Sequence, residues 1–550
     1  MVLDRPDLRN AVMADRLALG VLALVAVITM FTFRDYGLGW DDYTHAQYGE
    51  LLLALYGSGF KDTRALEFVN LYLYGGGFDM AAALLAKILP FDLFETRRLL
   101  GAAVGIIGLA VTWRIGRRVG GPLPGLIALV VLATCPLYYG HMFINPKDAP
   151  FAVAMAVLLL GLLRVFEEYP RPSWPSVLIL AAGFGLSIGS RIMGGFGVIY
   201  LLAGLALIAS AETRTHGARV AGERLAAFAP RILIAAVLAY ALMALVWPWG
   251  VIDPLNPFRA IGVFAHFFEK PWQELFEGLL LTPPQVPRRY VPELRALNLP
   301  VIFWFFGLIG VVIALVTAFK QDQSAERRGV LLAVALTAIL PVAVAVLTRP
   351  AMYNGVRHFV FIMPALAVAA GVGADWLYRR ATRWITRGAL VAMLTIGVVN
   401  STVQMIRLHP YQYVHFNLLA GSASGARDRF MLDYWALSLK QAAEALRGHL
   451  AARGETPPAG RKWKVAVCGP HPGVQVALGD TFEPSWEPKG ADFALMLGEF
   501  YCARLNTPQI AAIERTGVTF ARVHDIRGRD VPALFTIPPV ERDNPALPTR

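Results

Sequence analysis

Apolar runs near the length needed to cross a ~30 Å hydrocarbon core recur along this chain, separated by short polar stretches. They fall at about Leu17–Phe33, Leu99–Ile115, Leu123–Tyr139, Phe151–Val165, Val177–Gly189, Phe196–Ala209 and Ile232–Trp247. After a long polar loop come Pro300–Phe319, Val330–Leu347, Phe359–Trp376 and Ala389–Met405. The pattern predicts a mainly α, polytopic membrane bundle of about 11 spans. Between the first two spans, Leu51, Leu52 and Leu55 recur at helical spacing within His45–Tyr56, which predicts a helix lying on the membrane surface. Met80–Leu89 is short and contains Lys87, so it reads as a second surface or re-entrant helix.

Charge orients the bundle. With the N-terminus cytoplasmic, the inner loops hold Arg114, Arg117 and Arg118, then Arg164 and Arg171, then Arg214 through Arg231. Lys320, Arg327 and Arg328 follow, and then Arg379, Arg380, Arg383 and Arg387. Counting Met80–Leu89 as a span would invert this order. The formal net charge of +12 is thus explained by topology rather than by nucleic-acid binding. The first run ends in Thr-Met-Phe-Thr-Phe-Arg34 without a small-x-small site, so a retained helix is expected rather than a cleaved signal.

The tail after Arg407 has soluble composition and predicts a small α/β domain outside. Ser438–Leu450 reads as an amphipathic helix, and Lys464–Cys468 and Phe493–Leu497 as short buried strands. Thr507-Pro508 is expected to cap a helix ended by Gly517. Val518–His524 and Ala533–Ile537 are expected to form a hairpin across Arg527-Gly-Arg-Asp530. Pro538 onward reads as a loose terminus. Cys468 and Cys502 are either a disulfide pair or separately buried thiols. The expected division is 1–407 as the membrane module, with external loops 34–97 and 248–299. A soluble domain covers 408–540, and 541–550 is a loose tail.

Unusual polar residues gather on the outer side. Gly39-Trp-Asp-Asp-Tyr-Thr-His-Ala-Gln-Tyr-Gly-Glu50 follows the first span and holds Asp41, Asp42 and His45. A carboxylate there serves either as a general base or as a helix cap. Asn145-Pro-Lys-Asp148 offers Lys147 and Asp148 at another outer helix end, as a cap, a metal ligand or a phosphate site. Arg191, and Arg357 with His358, are cations at further outer ends, snorkelling to headgroups or binding a phosphate. The loop Pro248–Leu299, with Trp247 at the span end just before it, holds Trp249, His266, Glu269, Trp272, Glu274 and Arg288-Arg289-Tyr290; the aromatics suit an interface belt or sugar stacking. No Walker loop or GxGxxG fingerprint occurs.

An acidic pair straight after the first span, in a long external loop, resembles the clan-C (GT-C) membrane glycosyltransferases. The resemblance is nearest to the protein mannosyltransferase-like family, which includes the lipid A aminoarabinose transferase. Asn145–Asp148 looks like that family's second acidic motif, and Gly185–Gly195 like its span-turn-span with a basic residue. Tyr353–Pro364 resembles its late arginine-bearing span start, and His409–Asn417 with Asp433-Tyr-Trp435 is similar to a post-membrane segment of some members. The resemblance implies transfer of a monosaccharide from a polyprenyl-phosphate donor to an extracytoplasmic lipid, glycan or protein, with inversion. It implies Asp41 and Asp42 as catalytic, Arg191, Arg357, His358 and Lys147 for the donor phosphate, and Tyr43, Asp148 and Tyr353 for substrate. The family's Lys-Pro-Pro-like element is replaced by Asn70–Phe78, so the phosphate cation falls to Arg191, Arg357, Lys147 or Lys61. No cofactor is required on this reading; a divalent metal at His45 or Asp148 stays open. The expected location is the cytoplasmic (inner) membrane, with the site on the periplasmic face. A flippase of lipid-linked sugars and a non-enzymatic envelope assembly protein are the rival readings.

Overall fold

The computed structural model describes residues 8–265 and 273–537. Every apolar run falls on a helix. Among the described residues, nine helices are long and apolar enough to cross a membrane. Leu123–Tyr139 is a pair, Pro122–Ala133 and Pro136–Ile144, bent by 63°. The break lies at Thr134-Cys135, where Pro136 cannot donate to a continuing helix. Val177–Gly189 lies in Trp174–Ser190, 17 residues long and kept short by its proximity to Arg191. This is a multi-pass membrane protein.

Two spans form the core of the bundle, Arg357–Arg380 (83% of its apolar window buried) and Asp148–Glu167 (78%). Glycine lets the helices approach closely: a Cβ on Gly310 would lie 1.8 Å from the Ala369 carbonyl oxygen. At the end opposite the tail domain, basic residues pair with acids, Arg117 with Asp15 (2.8 Å) and Arg224 with Glu212 (3.1 Å). The loop between the first two spans contains helix Asp42–Gly57, as its Leu spacing predicts, and the short apolar helix Gly77–Ala86, which packs on it. Ten residues cannot span a bilayer.

In the loop 248–299, β1 (Glu274–Phe276) pairs antiparallel with β2 (Leu279–Leu281). The tail carries β3 (Trp463–Cys468), β4 (Phe482–Ser485), β5 (Phe493–Leu497), β6 (Gln509–Arg515) and β7 (Val518–Asp525). Their order is β4-β3-β5-β7-β6, with β3 parallel to β4 and β5, and β7 antiparallel to β5 and β6. The amphipathic helix is Leu439–Arg453, and it packs on β5, β6 and β7. β5 is buried at every position, which explains its continuous apolar run.

Two expectations for the tail are corrected. The helix between Pro508 and Gly517 is instead strand β6. Thr516 (φ 50°) and Gly517 (φ 77°) are both left-handed and form the two-residue turn that joins Arg515 to Val518. That geometry is a hairpin turn rather than a helix C-cap. The hairpin expected across Arg527–Asp530 does not form either. β7 pairs with β5 and β6, while residues 533–537 make a single bridge, Phe535 to Cys502. Cys468 and Cys502 are joined as a disulfide. The loose terminus expected from Pro538 lies outside the described residues.

Glu499 braces the tail domain from within, on the Leu432–Asp433 segment. Its Oε1 accepts the backbone N–H groups of Leu432 (3.1 Å) and Asp433 (2.7 Å). Burial, and after it the nearby Asp433 carboxylate, push the Glu499 carboxyl up to about 8. Its folded value exceeds its unfolded one, so the stabilisation is full below about pH 4.5 and is lost as pH rises through about 8. Glu499→Gln mimics the protonated acid. Its Tm should therefore fall less than the wild-type Tm between about pH 5 and pH 8. Superposable Tm–pH profiles would refute this account.

Candidate active site

The chain leaving the first span turns at Gly37–Asp41 into helix Asp42–Gly57, with Asp41 at the N-cap position. The neighbouring carboxylates diverge there, because one helical residue rotates a side chain by roughly 100°. Asp42 is 1% exposed and gripped by Arg98, Nη1 to Oδ1 and Nη2 to Oδ2, both at 2.7 Å. It also accepts the Gly39 N–H at 2.7 Å. Arg98 donates further to the carbonyls of Gly37 (2.5 Å) and Phe143 (3.2 Å). Asp42 therefore caps no helix N–H; it fastens the turn to the bundle. Asp41 stays partly open (27%), with Lys147 Nζ at 3.4 Å from its Oδ2.

His45 faces neither carboxylate of the turn. Its Nδ1 lies 2.6 Å from Asp79 Oδ2, and Arg97 Nη2 lies 2.6 Å from Asp79 Oδ1. The three side chains are buried together. The opposite charges hold the Asp79 carboxyl below its ordinary value against the cost of burial. Among the described residues no three His, Cys, Asp or Glu side chains stand together to hold a metal.

Asp148 begins helix Asp148–Glu167 and is 2% exposed. Asn145 does the capping: its Oδ1 accepts the N–H groups of Lys147 (3.1 Å) and Asp148 (2.8 Å), and its amide donates to Asp148 Oδ2 (2.7 Å). Arg191 Nη2 approaches Asp148 Oδ1 at 2.5 Å, and Arg357 Nη1 lies 3.6 Å from Oδ2. Lys147 and Arg191 both lie against the Tyr74 ring, at 5.2 and 5.5 Å. Arg357 lies between the Tyr353 and Trp435 rings, at 5.1 and 4.9 Å, and His358 packs edge-on to Tyr353.

Tyr353 and Arg357 are presented by a turn with Asn354 (φ 55°) and Gly355 (φ 68°) left-handed. Glu274 clasps it by accepting the N–H groups of Asn354 (2.8 Å) and Gly355 (3.3 Å) and the Tyr290 hydroxyl (2.7 Å). Burial raises the Glu274 carboxyl; the Tyr290 hydroxyl and the two N–H groups offset part of that. Three cations, Lys147, Arg191 and Arg357, thus meet two carboxylates, Asp41 and Asp148, at one set of helix ends.

Residues 78–249 match the model of the dolichyl-phosphate-mannose-protein mannosyltransferase family. The resemblance to clan-C glycosyltransferases of the protein mannosyltransferase type is borne out by that match. The mannosyltransferase-like stretch carries Asp79, Arg97, Arg98, Lys147, Asp148 and Arg191, with Asp41 before it and Arg357 after it. No curated protein matches the chain. Among solved structures, the apo oligosaccharyltransferase of Archaeoglobus fulgidus superposes with TM-score 0.48 at 11% identity, over 86% of this chain and 65% of that one. ArnT from Cupriavidus metallidurans superposes in its apo state with TM-score 0.47 at 15% identity, over 94% of this chain and 98% of that one. For the same protein bound to undecaprenyl phosphate the values are 0.46, 16%, 92% and 97%.

The mannosyltransferase-like stretch and its flanks thus bring together Asp41, Lys147, Asp148, Arg191, Tyr353, Arg357 and His358. Asp42 and His45 are drawn aside by Arg98 and Asp79. Tyr43 is half-buried on the surface helix, and Lys61 is exposed in its own loop. His266, Glu269 and Trp272 lie outside the described residues. Sequence reasoning missed Tyr74, Asp79, Arg97, Arg98 and Trp435. Adjacent arginines entering a span were a usable signal for Arg97 and Arg98, since charges there need partners.

Proposed function

We propose that this protein is a membrane glycosyltransferase that moves a monosaccharide from a polyprenyl-phosphate donor to a hydroxyl or amine acceptor on the tail-domain side. The observation that carries the reading is the cluster of three cations beside one partly open carboxylate. Buried N–H groups without hydrogen-bond partners line it: Arg191 Nε, Arg357 Nε and Nη1, and Trp435 Nε1. Unpaired buried donors are costly, and a phosphate's oxygens would satisfy them while balancing the surplus positive charge. The matched family's description itself names a sugar carried on dolichyl phosphate.

In the reaction, Asp41 takes the acceptor's proton as the acceptor oxygen or nitrogen bonds to the anomeric carbon. The bond from that carbon to the phosphate oxygen breaks, and polyprenyl phosphate leaves with its charge held by Arg191 and Arg357. Attack opposite the leaving group inverts the sugar carbon. Lys147, with its Nζ 3.4 Å from Asp41 Oδ2, stands between that carboxylate and the phosphate side. Asp148 orients the two arginines and stays shielded from substrate. Asp42 serves the turn rather than the chemistry.

The test is transfer by the purified protein in nanodiscs, with envelope lipids and peptides as acceptors and products read by mass spectrometry. Polyprenyl-phosphate sugars should support transfer, and nucleotide sugars should not. Lys147→Ala should raise the donor KM by about tenfold, the scale of one charge-assisted hydrogen bond. Transfer from nucleotide sugars alone would overturn the proposal. Net movement of intact lipid-linked sugar across the bilayer without transfer would favour the flippase reading.

A further inference from the structure

The turn that carries Asp41 is docked on the tail domain almost residue by residue. The Tyr36 hydroxyl donates to Gln412 Oε1 at 3.1 Å. Gly37 lies so close to the Leu437 carbonyl that a Cβ would fall 2.3 Å from its oxygen. Leu38 packs on Gly473, whose own Cβ would meet the Leu38 Cβ at 3.0 Å. Gly39 faces the Trp435 indole, where a Cβ would fall 1.7 Å from Cδ1. The Trp40 indole stands beside the Tyr501 hydroxyl. The next residue is Asp41.

The tail side of this contact is braced. Asp433 accepts the N–H groups of Leu437 (2.9 Å) and Ser438 (3.0 Å) and the Tyr413 hydroxyl. Tyr434 bonds His141 at 3.2 Å, which fastens the same segment to the bundle. Trp435 is 3% exposed and touches both halves of the site, Gly39 on the Asp41 side and Arg357 on the other. Ala436 is held left-handed (φ 67°), so the backbone bends to seat the indole.

We propose that the tail domain is a working part of the catalytic centre: Trp435 and the segment around it are positioning residues that set the distance between the Asp41 carboxylate and the Arg357 guanidinium. The inference rests on the transferase reading above. A carboxylate on a free external turn would sample many positions, and a shift of about 1 Å in a reacting group can cost roughly a hundredfold in rate. Docking on a folded domain removes that freedom.

The test uses the full chain in nanodiscs, with kcat measured at saturating donor and the Kd for polyprenyl phosphate measured by native mass spectrometry. Gly39→Ala, which pushes the turn off Trp435, should lower kcat by about ten- to a hundredfold. Its Kd should stay within about twofold of wild type, because the turn is displaced and the arginines are not. Lys440 bonds the Arg34 carbonyl at the edge of the same contact. Lys440→Met, a mild surface change, should lower kcat several-fold with Kd unchanged, and it serves if Gly39→Ala does not fold. Wild-type kcat in folded Gly39→Ala or in Lys440→Met would overturn the proposal. Wild-type protein that transfers no sugar from any polyprenyl-phosphate donor would instead overturn the transferase reading itself.

Discussion

Asp41→Asn should lower kcat by roughly 10²- to 10⁴-fold, the usual contribution of a general base, and leave polyprenyl-phosphate binding close to wild type. The side chain keeps its size, and Asp41 is partly exposed with a lysine 3.4 Å away, so folding should survive. Lys147 loses its carboxylate partner and becomes freer to meet the donor phosphate, so the donor Kd should hold or tighten slightly. The measurement is single-turnover transfer alongside lipid binding in the same preparation. Normal transfer by purified Asp41→Asn would remove this carboxylate from the mechanism. Loss of both transfer and lipid binding would make it a donor-site residue instead.

The second large effect concerns stability. Asp42→Ala should destabilise the protein by about 3–5 kcal/mol, because it leaves the buried Arg98 guanidinium without its bidentate partner. Asp42→Ala with Arg98→Met removes both charges and should be markedly less harmful than Asp42→Ala alone. Thermal unfolding in detergent, followed by loss of monodisperse protein, reads the difference. Equal losses in the single and double variants would show that the pair is not what the stability depends on. The neighbours are thus distinguishable: removing one carboxylate should cost transfer in a folded protein, and removing the other should cost stability.

Much of the architecture was legible because bilayer physics writes it plainly. Hydrophobic length marked each span, and the arginine-rich loops separated Met80–Leu89 from the true spans. The common location of Lys147, Asp148, Arg191 and Arg357 followed from topology alone, since each sits at the same end of its helix. What topology cannot convey is azimuth. Asp41 and Asp42 read as one acidic pair, yet a single helical step sends them to Lys147 and Arg98. His45 read as open to a metal because its partner Asp79 is 34 residues away on another short helix. Gln509–Arg515 read as a helix because Pro508 and Gly517 suit helix ends as well as hairpin ends, and pairing with β7 decides between them. Trp435 was invisible as a site residue because nothing local reveals which distant glycine an indole will cover.

The contacts between the first turn and the tail also set a schedule for synthesis. Tyr36 and Gln412 are 376 residues apart, and Arg34 and Lys440 are 406 apart. At roughly 5–20 residues per second, the ribosome needs on the order of 20–80 s to deliver the second half of each contact. The Arg98–Asp42 clasp, 56 residues apart, can close long before that. A nascent chain therefore sits in the bilayer with its turn anchored to the bundle and Asp41 not yet docked on the tail. On the proposed mechanism, only completion of the tail domain finishes the centre, and a chain interrupted before it should be inert.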